Sequence, residues 1–199
     1  MPVHEIAWEQ YLQSIGFDDR DIVSRMHGRR NDEIVRDFLG AEAAEDEVME
    51  HGAAKERLFR KLMGERLAHS LVPGVVEWLR RTAGSKVALA SNAERPNIDF
   101  VLDGAGLRPY FQAIVDGSQV AQPKPSPDVY LKAAEELGVA PAHCIVFEDS
   151  PVGVAAARAA GMRVVGVLTH SSPLADIHFA VSDFHDPGLE GWLSAQSAG

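Results

Sequence analysis

Three short stretches of this sequence set polar, reactive side chains directly behind apolar runs. Ser91-Asn92 follows KVALA, Glu148-Asp149-Ser150 closes CIVF, and Lys124 stands in QPKPSPD a few residues after AIVDG. A hydroxyl, an ammonium and paired carboxylates suit phosphoryl chemistry on a hard divalent cation. Carboxylate oxygens hold Mg2+, a lysine neutralises developing charge, and a hydroxyl with backbone N–H groups cradles phosphate oxygens. Each piece also has a plainer reading. Ser-Asn behind a strand commonly forms a turn or a helix cap. A surface lysine is usually solvated, although three prolines stiffen this loop and loops carry function. Ser150 or Asp149 can cap the helix that Pro151 opens. Capping explains one carboxylate but not both, and adjacent carboxylates beside a buried run are costly without a cation or donors. Cys144, the only cysteine, starts the same run and reads as a small core residue.

The elements that must position these groups follow from the hydrophobic pattern. Apolar runs at 86–91, 113–117, 144–149, 163–168 and 180–184 alternate with helical patterns at 74–81, 97–104, 127–137 and 152–160. Nearly continuous apolar strands separated by helices predict an α/β fold, a doubly wound parallel sheet covered on both faces. Ligands bind such sheets beyond the carboxyl ends of the strands, where Ser91, Lys124 and Asp149 all fall. Residues 1–70 read as helices only. Ile6, Trp8, Leu12, Ile15 and Phe17 form a helical stripe that Gly16 ends, a second helix fits Asn31 to Leu39 before Gly40, and a long one runs from about Ala44 to Leu67. The seam at Val72-Pro73-Gly74 gives a helical domain, 1–72, and an α/β domain, 73–199.

Bulk properties narrow the function. A net charge of −10 argues against nucleic acid or a membrane surface as partner. An anionic substrate then needs a local cluster of basic groups. No apolar run reaches membrane-spanning length, and MPVHEIAWEQ lacks the features of a signal peptide. A lone cysteine permits no internal disulfide and fits a reducing cytoplasm. The chain is expected to act there as a monomer.

The segments ASNAERPNIDFVLD, KPSPDVYLKAAEELGV and CIVFEDSPVGVAAARAAGMRVVGV, in this order, resemble the haloacid dehalogenase superfamily, in its branch of β-phosphoglucomutase and sugar-phosphate phosphatases. The resemblance implies an α/β core with an inserted helical cap, for which residues 1–72 stand. It implies Ser91 as the phosphate-binding hydroxyl with Asn92 beside it, Lys124 as the lysine that bridges nucleophile and phosphate, and Asp149 with Glu148 around Mg2+. In the cap it implies His4, Lys55 and the basic loop His27-Gly28-Arg29-Arg30 as groups that grip a small phosphorylated metabolite. Three departures stand out. Pro123 occupies the place of a glycine before the loop lysine, and Asn31 stands where a mutase has its arginine, which favours a phosphatase. The largest departure is in front. The family's first strand ends in an Asp-x-Asp-Gly-Thr type of motif, whose first aspartate is the nucleophile. No such motif occurs here. The expectation is an enzyme cut short at its N-terminus, lacking its first core strand and inactive as it stands. The alternatives are a phosphosugar mutase and a non-catalytic relative that binds phosphate or a partner.

Overall fold

The computed structural model describes residues 2–17, 29–64, 66–169 and 173–197, so His27 and Gly28 of the expected basic loop lie outside the described residues. The chain divides into two compact units, Met1–His69 and Ser70–Gly199.

The first unit contains helices α1 (Pro2–Ser14), α2 (Asn31–Leu39) and α3 (Glu45–Gly64), followed by the single turn α4 (Leu67–Ser70), and no strand among its described residues. Its core gathers Trp8, Tyr11 and Leu12 of α1, Ile34 and Val35 of α2 and Val48 of α3. The buried face of α1 differs from the expected stripe. It runs through Val3, Ala7, Trp8, Tyr11 and Leu12, while Ile15 is 41% exposed. The helix stops at Ser14 and Gly16 turns the chain with φ +76, which carries Ile15 off the helical face.

The second unit alternates strand and helix: α5 (Val75–Arg81), β1 (Ala88–Ala90), α6 (Arg95–Gly104), β2 (Ala113–Val115), α7 (Asp128–Leu137), β3 (Ile145–Glu148), α8 (Pro151–Ala159), β4 (Arg163–Val167), β5 (Phe179–Val181) and α9 (Pro187–Ser197). All pairings are parallel, as expected. The strands are shorter than the apolar runs because polar side chains open turns at their ends. Asp116, for instance, accepts from the Ser118 N–H at 2.9 Å and stops β2. Successive residues point to opposite faces. Val115, Val146 and Val164 pack under α7 and α8, whereas Ile145, Phe147 and Val165 pack with α5 and α9. Both faces are therefore covered.

The sheet comes in two pieces, β1-β2 and β3-β4-β5. Alternate residues of a parallel strand send their N–H and C=O to each side, yet among the described residues no strand pairs with the second edge of β1 or of β3. Helices hold the pieces together. One core joins Ala88 and Ala90 of β1 to Val146 of β3, and on the opposite face Val75 and Trp78 of α5 pack with residues of both pieces. Trp78 also carries the one buried side-chain N–H without an acceptor among the described residues.

Candidate active site

β1 delivers Ala90 and then Ser91. The Ser91 N–H continues the ladder to Val115 at 3.0 Å, and its Oγ accepts from the Ala93 N–H at 3.0 Å. The turn reading of Ser91 is thus realised, and the hydroxyl keeps its hydrogen to donate. Next to it, Asn92 Oδ1 accepts from the Lys124 N–H at 3.0 Å. Asp128 ties down the same loop by accepting from the Gln122 N–H and the Ser126 hydroxyl. Two side chains thus place Lys124 before its own side chain makes a contact.

The Lys124 ammonium donates to the Ala90 carbonyl at 3.2 Å, to the Tyr130 hydroxyl at 2.9 Å and to Glu148 Oε1. It lies 4.6 Å from the Tyr130 ring centroid. One lysine therefore bridges the carboxyl ends of β1 and β3. Tyr130, from the buried face of α7, donates its O–H to Glu148 Oε1. The Glu148 Oε2 accepts from the N–H groups of Asp149 and Ser150 at 3.1 and 3.2 Å and from the Ser150 hydroxyl at 3.0 Å. Ser150 Oγ in turn caps α8 by accepting from the Gly153 N–H. A Cβ built on Gly153 would lie 2.0 Å from Glu148 Cδ, so the carboxylate occupies the space of the missing side chain. Burial alone would push the Glu148 carboxyl up. The Lys124 charge and the hydrogen bonds from Lys124, Tyr130 and Ser150 outweigh it and hold the carboxyl below its ordinary value. Burial, then the Glu148 charge, pushes the Tyr130 phenol far above its own.

Asp149 follows on the same edge, its Oδ2 accepting from the Thr169 hydroxyl behind β4 at 3.0 Å. A cavity of about 190 Å³ adjoins it, lined by Val72, Phe147, Glu148, Asp149, Val167, Thr169 and Phe184. The structure thus brings Ser91, Asn92, Lys124, Glu148 and Asp149 together. Tyr130, Gly153 and Thr169 join them without having been singled out in the sequence.

The expected cap groups form a second cluster, inside the first unit. Lys55, 2% exposed, donates to Glu56 Oε1 at 2.7 Å, to His4 Nδ1 at 3.0 Å and to Asn31 Oδ1 at 3.3 Å. Asn31 Nδ2 also donates to Glu56, at 2.6 Å. His4 stacks on Phe59 at 3.8 Å, and Lys55 sits 5.0 Å from the Trp8 ring. A lysine can only donate, so His4 Nδ1 accepts and the ring is neutral. Burial, reinforced by Lys55, pushes its pKa down to about 4. Arg29 is placed differently. It forms a two-pronged pair with Asp37 at 2.7 and 3.2 Å and approaches Glu33 at 3.5 Å, on the surface of α2.

A family model of haloacid dehalogenase-like hydrolases matches residues 3–161. Beta-phosphoglucomutase of Bacillus subtilis is 30% identical over 195 residues, 94% of this chain and 85% of that protein. Fructose-1-phosphate phosphatase of Escherichia coli is 31% identical over 169 residues, 83% of this chain and 88% of that protein. Among solved structures, a mutant of CbbY from Rhodobacter sphaeroides in complex with xylulose-(1,5)bisphosphate superposes with a TM-score of 0.77 at 26% identity, covering 94% of this chain and 89% of that one.

Proposed function

We propose that the site of this chain, which belongs to the haloacid dehalogenase-like hydrolase family and is a relative of phosphoric monoester hydrolases and sugar-phosphate enzymes, serves the hydrolysis of small sugar monophosphates. The observation that carries this reading is the Lys124 ammonium, held between the ends of β1 and β3 and next to Ser91. In a chain of net charge −10 it is a fixed cation where a phosphoryl group would lie. Ser91 and backbone N–H groups would cradle the phosphate oxygens, and Lys124 would offset charge developing on them. Asn92 holds the lysine loop at its working position.

Attack on phosphorus by a carboxylate forms an acyl phosphate and expels the sugar alcohol, which takes a proton from a general acid, and water then cleaves the acyl phosphate to release phosphate. The sequence has no Asp-x-Asp-Gly-Thr motif, and among the described residues no strand joins β1 to β3, whose carboxyl ends share Lys124. We assign the nucleophile to a parallel strand between β1 and β3, supplied from outside these 199 residues. By itself the chain then binds phosphate esters without turning them over.

Mg2+ fits the donors present. Asp149 offers a hard carboxylate at the edge, and Mg2+ is usually held by one or two carboxylates with substrate phosphate and water. When bound, the ion supplies charge neutralisation on the phosphate oxygens. His4 and Lys55 are engaged with each other and with Glu56, and Arg29 with Asp37, all within the first unit, and they carry no part of this proposal. Asn31, engaged by Glu56 where a mutase has an arginine, favours hydrolysis over phosphate relocation.

A strand-extended protein assayed with Mg2+ and a panel of sugar monophosphates should release phosphate, and Lys124→Met should lower kcat on the order of 10³-fold. Phosphate relocation on the sugar without release would replace hydrolysis by a mutase. Full activity of Lys124→Met would remove the lysine from the site.

A further inference from the structure

We infer that Tyr130 is a positioning residue of this site, whose hydroxyl locks Lys124 and Glu148 into one unit. The inference rests on the phosphoryl-transfer reading above and names a group that reading does not need. It comes from counting donors and acceptors. A lysine ammonium has three N–H donors, and those of Lys124 go to Ala90, Tyr130 and Glu148. A carboxylate only accepts and a lysine only donates, so the phenol between them must do both. Its hydrogen goes to Glu148 and its lone pair receives Lys124. No other arrangement of these protons satisfies all three groups. An ion pair alone would leave the ammonium free to rotate about its flexible stem. The phenol gives it a second fixed acceptor on a helix, with the ring beneath.

Glu148 is limited in the same way. A carboxylate presents about four lone pairs. Oε1 receives Lys124 and Tyr130, and Oε2 receives the N–H groups of Asp149 and Ser150 with the Ser150 hydroxyl. Its acceptor capacity is spent on the protein. Glu148 therefore anchors the lysine, and Asp149 is the carboxylate this chain offers to a cation. Gly153 agrees, since the carboxylate is seated where any side chain at 153 would stand.

A tyrosine that merely fills the core would also bury its ring and find some partner for its hydroxyl. The two roles separate in site-resolved amine labelling of the 199-residue chain, read peptide by peptide, with amide hydrogen exchange of α7 as control. Tyr130→Phe keeps the ring and removes both hydrogen bonds. Losing a bond to a charged group should raise the Lys124 labelling rate roughly tenfold while α7 exchange stays unchanged. Glu148→Gln should do the same. An unchanged Lys124 rate in Tyr130→Phe overturns the inference, and so does a faster rate matched by faster exchange throughout α7. Titration of inorganic phosphate, followed by 31P NMR, tests the underlying reading separately. If Lys124→Met binds phosphate as the wild type does, that reading fails whatever the labelling shows.

Discussion

Each unit of this molecule buries one lysine against one glutamate, and the two pairs are built in opposite ways. Lys55 and Glu56 are neighbours on α3, with side chains 2% and 4% exposed, beside the rings of His4, Phe59 and Trp8. Lys124 and Glu148 lie 24 positions apart, on a loop and a strand end, and backbone N–H groups and two hydroxyls surround them. The first pair is walled by rings and has Asn31 and His4 as polar partners, so each charge depends heavily on the other. The second is solvated by fixed protein dipoles, so either charge retains donors or acceptors when the other is engaged elsewhere. A lysine meant to meet an incoming phosphate needs the second arrangement, because its counter-ion must stay satisfied as the ammonium shifts partners.

Breaking the pairs should expose this difference. Lys55→Met leaves Glu56 in an apolar setting with less compensation, and chemical denaturation should show a loss of about 3–5 kcal/mol. Lys124→Met should cost distinctly less, because Glu148 keeps Tyr130, Ser150 and two N–H donors. Equal losses would erase the distinction. Gly153→Ala comes next, at about 1–3 kcal/mol, since the new methyl evicts the Glu148 carboxylate from its seat. It should also speed amine labelling of Lys124, which Gly161→Ala should leave unchanged.

The histidine of the first cluster gives a smaller, pH-dependent effect. His4 is neutral in the folded state down to about pH 4, whereas an unfolded histidine takes its proton near 6.5. Between those values the unfolded state binds more protons, so stability falls as the solution is acidified. With a discount for its partial exposure and its coupling to Lys55, the loss should be roughly 1–2 kcal/mol between pH 7 and 5. His4→Phe should flatten that slope, and an unaltered slope would place the effect elsewhere. Smallest of all, Arg29→Ala removes a surface ion pair and should change stability by less than about 1 kcal/mol.

Much of the core cluster was legible because Ser91, Lys124 and Glu148-Asp149 stand directly behind apolar runs, and a parallel sheet gathers such positions on one edge. The helical first unit is legible from its 3.6-residue pattern, although the face of α1 is not, because the apolar spacing continues through Ile15 while the helix ends at Ser14. Tyr130 was missed for a different reason. A tyrosine on the apolar face of α7 looks like core, and only its need for a hydroxyl partner marks it. Gly153 inside α8 carried a signal, since a helical glycine costs about 1 kcal/mol and wants a reason. The reason, a carboxylate against its Cα, is visible only in three dimensions. No spacing rule joins His4 to Lys55, 51 positions away, so their contact was suggested by family resemblance alone.

The most direct test is to compare phosphate release by the 199-residue chain with release by the same chain fused to an apolar strand ending in Asp-x-Asp, using Mg2+ and a sugar monophosphate. No turnover is expected from the first and robust turnover from the second, a difference that loss of a covalent nucleophile can make as large as about 10⁶-fold. Equal activity of the two forms would contradict the placement of the nucleophile between β1 and β3.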